Sequence, residues 1–201
     1  MLFRSCVASS YITYSVFKLT LLLAKTVLSS YNISQEQTNV AAVVYASEVI
    51  VSFNFTQHYS FSAVSAAIDG IPYLNQTSLN ITAALETVND TVFSTGRGNV
   101  QRVCVVFVSG ILSGDFIQVS QGLRDQGVII IAIGVGSGYS VDQLNSIASQ
   151  PSATYVIGFG ITLVPHIDTM GGVIAPAITP PIVSICGTKV IPNPITYVAE
   201  G

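Results

Sequence analysis

The chain has 201 residues, a net charge of −3, and Asp, Glu, Lys and Arg at only 8% of its positions. That length supports one domain with a tail and a full hydrophobic core, and the charge balance excludes the basic field that nucleic-acid binding requires. No run of 18 apolar residues is present, so no membrane-spanning helix and no membrane insertion are expected.

In chain order, residues 1–6 (MLFRSC) read as a short first strand. Ser15 to Ser30 has helical spacing, with Phe17, Leu21, Ala24 and Leu28 on one face. Phe17 to Leu28 is apolar, but Lys18 and Lys25 interrupt it, so any secretion signal is expected upstream of this chain. Asn39 to Tyr45 reads as a buried strand, Glu48 as a tight turn, and Val49 to Phe55 as an edge strand with alternation. Phe61 to Ile68 suggests a short helix. Ile81 to Val92 suggests a longer one, capped by Ser78 or Asn80.

The central stretch is Arg102 to Val108, an apolar run closed by Gly110. A second such run, Val128 to Ile133, follows the helical spacing of Asp115 to Gln126. Continuous β-branched runs of this kind are buried on both faces, as in a parallel sheet, and strand–helix–strand is a right-handed crossover unit. Ligands of such sheets bind at the carboxyl ends of the strands, here Ser109, Gly110 and the loop to Asp115. Ser140 caps a helix over Val141 to Ser149, Ala153 to Ile157 reads as a last strand, and 161–175 as a final helix. From Pro176 the chain turns proline-rich, so residues 1–175 are expected to form the domain and 176–201 a linker or the start of another module.

Three cysteines occur. Cys104 falls inside the central strand, where a thiol serves as a small hydrophobe. Cys6 falls in the first strand, and Cys186, in the tail, is the best placed for a disulfide to another chain. Asn-x-Ser/Thr occurs at Asn32, Asn54, Asn75, Asn80 and Asn89, more often than composition alone would give. Glycans at these sites would supply the solubility that so few charges do not.

Catalytic signatures are missing. Gly134-Val-Gly-Ser-Gly138 lacks the spacing of a dinucleotide loop and follows a late strand, so a plain turn is expected. His58 and His166 have no ligand partners at metal spacing. No nucleophile elbow exists. Arg97 reads as a solvated loop residue before the central strand.

Taken together, these pieces resemble a von Willebrand factor type A domain. The likeness runs through Phe17-Lys18, Asn39-Val-Ala-Ala-Val-Val-Tyr-Ala-Ser-Glu48, Thr82-Ala-Ala-Leu85, Val103 to Gly110 and, most specifically, Gly127-Val-Ile-Ile-Ile-Ala-Ile-Gly-Val-Gly136. The resemblance implies an α/β, Rossmann-like fold: a doubly wound, mostly parallel six-stranded sheet of order 3-2-1-4-5-6 with helices on both faces. It also implies a site for Mg²⁺ or Mn²⁺ built from an Asp-x-Ser-x-Ser motif, a Thr and a further Asp, oxygen donors that hard cations want. Here the first motif falls on Val7-Ala-Ser-Ser-Tyr11, the Thr position on Leu79 and the last acid on Ser109. The first acidic residue of the chain is Glu36. No metal and no cofactor are therefore expected. The implied function is a non-catalytic, extracellular protein-binding module of a larger secreted or cell-surface glycoprotein. Its contact face would be Ser9, Tyr11, Ser78, Ser109, Ile111 and Asp115, facing an extracellular protein ligand. A spacer domain without ligand, or a small nucleotide-binding α/β enzyme, are the alternatives.

Overall fold

The structure is a computed structural model that describes residues 1–8, 12–76, 78–98 and 100–159. Six strands lie side by side in the order β3-β2-β1-β4-β5-β6. β1 (Leu2–Ala8), β2 (Asn39–Tyr45), β4 (Arg102–Val108), β5 (Ile129–Val135) and β6 (Val156–Phe159) run parallel, and β3 (Val49–Phe53) is antiparallel to β2 at the edge. Parallel strands cannot be joined by tight turns, so helices carry the crossovers and cover the faces.

Alternation along the strands divides the interior into two cores. Val40, Ala42 and Val44 of β2, Val103, Val105 and Phe107 of β4, and Ile131 and Ile133 of β5 share one face with helices α1 (Tyr14–Leu28) and α2 (Phe61–Asp69). Ala41 and Tyr45, Cys104, Val106 and Val108, and Ile130 and Ala132 share the other with α3 (Ile81–Thr87), α4 (Phe116–Asp125) and α5 (Val141–Ile147). Each fully buried Val, Ile, Leu or Phe contributes about 1.5–3 kcal/mol, so a near-continuous apolar strand settles its own position at the sheet centre. Cys104 is one of these buried side chains. The Tyr45 hydroxyl, in the same core, donates to the Phe107 carbonyl at 2.8 Å.

Local chemistry sets the ends. Thr13, Ser60, Asn80 and Ser140 each cap a helix by accepting a backbone N–H three residues on, from Val16, Ala63, Ala83 and Gln143. Asn80 is thus the cap that α3 uses. α3 is shorter than the apolar spacing suggests: it passes into a π-helical turn at Val88–Val92 and a 3₁₀ turn at Phe93–Thr95. β3 stops at Phe53 because Asn54 enters a turn, in which its N–H donates to Gln57 Oε1 at 2.7 Å. The β2–β3 register shifts between Ala42, opposite Phe53, and Val43, opposite Val51, which leaves Ser52 as the extra residue of a bulge.

Three readings need correction. Ser152–Tyr155 forms a helical turn, α6, and only Val156–Phe159 is strand; the Thr154 N–H bonds the Pro151 carbonyl at 2.9 Å, closing a turn where β-branched residues alone suggested a strand. α5 ends at Ile147, two residues early, with the Ser149 N–H drawn to the Ile130 carbonyl. Arg97 is not a solvated loop residue. Its guanidinium donates to Asn39 Oδ1 at 3.0 Å and to the carbonyls of Glu36 and Gln37, tying the approach to β4 onto the approach to β2.

Residues 161–175, the tail from Pro176, His166 and Cys186 lie outside the described residues. No described helix is long and apolar enough to cross a membrane.

Candidate functional site

The carboxyl ends of β1, β2, β4 and β5 open onto one rim of the sheet. The loop after β2 is short: the Ala46 N–H bonds the Glu48 carbonyl at 2.8 Å, and the Ala46 carbonyl accepts the Asn80 N–H at 2.7 Å. Gln76 joins this turn to the segment before α3. Its Oε1 accepts from the Ser47 N–H at 3.0 Å and the Ser47 hydroxyl at 2.5 Å, and its Nε2 donates to Glu48 Oε1 at 2.6 Å.

The loop after β4 is held by Gln143 on α5. Gln143 Oε1 accepts the Leu112 N–H and its Nε2 donates to the Leu112 carbonyl, both at 2.8 Å. Leu112 is thereby buried, and its neighbour Ile111 is left 64% exposed. A glutamine paired with both backbone groups of one residue fixes that loop as a second strand would. Neither Gln76 nor Gln143 stands out in the sequence, because an amide in a polar helix or loop looks like ordinary surface.

Ser47, Ser78, Asn80, Thr82, Ser113 and Asp115 line an open depression of about 460 Å³ on this rim. A second hollow, about 620 Å³, shares Gly114 and Asp115 with it and runs along α4 past Ile117, Gln121 and Asp125. Asp115 makes no ion pair among the described residues, where Lys25–Asp69 at 2.6 Å is the ion pair that forms. The Thr82 hydroxyl is buried and has no hydrogen-bond partner; it faces Gly114, where a Cβ would lie 3.0 Å from it.

Of the residues read as a contact face, Ser78 and Asp115 come together in the depression, and Ile111 stands on the same β4 loop. Ser109 is only 1% exposed, so it lies beneath the rim. Ser9 and Tyr11 lie outside the described residues. At the positions where the family resemblance places metal oxygens, Val7 is wholly buried in the first core and Leu79 is 4% exposed in the second.

Of the glycines of 134–138, Gly134 and Gly138 serve packing and Gly136 takes a left-handed backbone, φ 80°. Gly134 and Gly158 are paired across β5 and β6, and a Cβ on either would sit 2.5–2.6 Å from the Tyr139 ring or its hydroxyl. The Tyr139 side chain thus packs against that glycine pair. Gly138 is pressed against the Ser109 carbonyl, 2.8 Å from where its Cβ would be. His58 packs edge-on to Phe53, ring centroids 5.2 Å apart.

The sequons spread over the surface. Asn32, Asn75 and Asn80 are exposed, and Asn54 and Asn89 are half-buried. Asn54 Oδ1 accepts from the Thr56 N–H and hydroxyl. Asn75 has a left-handed backbone, φ 49°. Asn89 lies in the π-helical turn.

Comparison with known proteins agrees with this architecture. The sequence model of the von Willebrand factor type A domain matches residues 8–160. The mouse (Mus musculus) collagen alpha-4(VI) chain is 32% identical over 126 residues, covering 63% of this chain and 5% of its own length. Chicken (Gallus gallus) matrilin-1 is 28% identical over 142 residues, covering 69% of this chain and 28% of its own. Among solved structures, proximal thread matrix protein 1 of the mussel byssus, with a zinc-occupied MIDAS motif, superimposes with a TM-score of 0.76 at 25% identity, over 88% of this chain and 46% of that one. The chain thus spans less than a third of either curated relative and about half of the mussel protein. With the match covering most of the chain and a mostly parallel sheet packed between two helical layers, this protein belongs to the von Willebrand factor type A domain family.

Proposed function

We propose that this chain is a non-catalytic, extracellular protein-binding module of a larger secreted or cell-surface glycoprotein, whose rim at the carboxyl ends of the strands takes its partner without a bridging metal. Its relatives among collagens, matrilins and a byssal thread matrix protein are extracellular matrix proteins, which supports the setting. In this reading the sheet is the doubly wound one of the family, and residues 176–201 belong to a linker or a further module.

The observation that carries the reading is Ile111, held 64% exposed by the Gln143 clamp beside a depression that contains Ser78 and Asp115. An exposed apolar side chain next to a polar rim is the anatomy of a binding hot spot. In this reading Ser9 and Tyr11, which follow β1 in the sequence, belong to the same face, with Ser109 as its floor.

The residues present do not fit the metal of the mussel relative. A divalent cation needs carboxylate and hydroxyl oxygens, and Val7 and Leu79 offer buried hydrocarbon instead. Asp115 alone is a poor substitute. The five sequons fit a chain of the secretory route, their glycans compensating for the few charges.

Binding of the labelled domain to decellularised matrix tests the reading. Ile111→Arg and Asp115→Ala are expected to weaken binding at least tenfold, with no effect of EDTA; unchanged binding by both variants would refute the face. Thermal unfolding in Mg²⁺, Mn²⁺ or EDTA tests the metal. A bound ion at about 100 times its dissociation constant adds about 2.7 kcal/mol, which moves the midpoint by about 5–10 °C in a domain of this size. No such shift is expected, and a clear one would restore metal-dependent adhesion.

A further inference from the structure

We propose that Asn80 carries an N-linked glycan, and that this glycan covers the depression on the rim, so that occupancy at one residue regulates access to the binding face. The inference rests on the reading of that rim as the partner site. Three observations converge. Asn80 is exposed and lines the depression with Ser78 and Asp115. Its Oδ1 is engaged as the cap of α3, accepting the Ala83 N–H at 3.1 Å, while its Nδ2 has no partner among the described residues. Attachment through Nδ2 therefore leaves the cap in place.

The third observation is Thr82, the last residue of the sequon Asn80-Ile81-Thr82. Its hydroxyl is buried and unpartnered in the folded chain. A buried hydroxyl without a partner is destabilising, and a methyl group there would pack as well. The hydroxyl has a use before folding, since sequon recognition requires it at this position. The transfer takes place on the chain before α3 closes. The Asn80 Nδ2 forms a bond to the anomeric carbon of a lipid-diphosphate-linked oligosaccharide. The bond from that carbon to the phosphate oxygen breaks, the lipid diphosphate leaves with the electron pair, and the amide gives up one proton. No oxidant or reductant is involved.

The chain is secreted from a eukaryotic line as wild type, Asn80→Asp and Thr82→Val. Aspartate keeps the helix cap, and valine keeps the shape of Thr82, so both variants are expected to fold with unfolding midpoints no lower than wild type. Glycopeptide mass spectrometry before and after amidase release in heavy-oxygen water is expected to place a glycan on Asn80, restored in Thr82→Ser. Carbodiimide labelling of Asp115, relative to the remote exposed Glu36, is expected to run several-fold slower in wild type than in either unglycosylated variant. An unoccupied Asn80 in the secreted protein overturns the modification. Equal Asp115 labelling with Asn80 occupied overturns the covering. Neither measurement involves a partner, so these results and those of the matrix-binding test fail independently.

Discussion

Replacing Gly134 by Ala tests the packing of Tyr139 directly. The new methyl would approach three ring carbons of Tyr139 at 2.5–2.6 Å, about 1 Å inside ordinary contact. Toward β6 the ring has little room, since its hydroxyl already lies 2.6 Å from where a Cβ of Gly158 would be. Overpacking of this kind costs about 1–3 kcal/mol, offset by about 0.5–1 kcal/mol from the lower backbone freedom of alanine in the unfolded chain. The net loss of up to about 2.5 kcal/mol corresponds to a fall in melting temperature of up to about 10 °C for a domain of this size. In a Tyr139→Ala background the clash is gone and only the alanine gain remains, so the same change should raise the midpoint by about 1–4 °C. Calorimetry on the four proteins of this cycle yields a coupling energy of about 1–3 kcal/mol. An equal fall in both backgrounds would refute the reasoning and place the strain in the β5 backbone.

Arg97→Lys should lower stability by about 2–3 kcal/mol, because one ammonium cannot serve Asn39 and the Glu36 and Gln37 carbonyls together; denaturant unfolding reads it. Arg124→Ala should cost about 1–2 kcal/mol and speed amide exchange at the end of α5, whose last carbonyls, at Ser146 and Ile147, accept from this guanidinium. Burial pushes the Tyr31 hydroxyl up from 10.0 to about 12. The folded chain therefore holds a proton that the unfolded chain releases first. The contribution is complete below pH 10 and is lost as pH rises through 12, so the ultraviolet titration of wild type minus Tyr31→Phe should show one late-ionising phenol.

The α/β class, the family and the strand cores were legible because burial on both faces leaves a continuous apolar signature. Arg102 to Val108 could be read without any tertiary information, as could the caps at Asn80 and Ser140, which act within three residues. What escaped depends on groups distant in sequence. Arg97 looked solvated because its partners lie about 60 residues away. Gln143 reaches back 31 residues to Leu112, and Gln76 reaches back 29 to Ser47. The short run at 153–157 is compatible with strand or turn, and one hydrogen bond from Thr154 decides it. For the site, Ile111 and Asp115 of the β4 loop are exposed, but sequence carries no sign that Ser109 in the same stretch is buried.

The register shift at β3 has a consequence wherever copies of this domain are crowded together. An open sheet edge offers unpaired backbone groups to any neighbouring chain, and identical domains crowded together would add strand to strand. β3 is five residues long, its ladder is broken at Ser52, and it gives way to a turn at Asn54. A neighbour's strand would meet only a short, kinked template, which disfavours edge-to-edge polymerisation. The bulge thus works against association through the backbone of this edge, which would be indiscriminate.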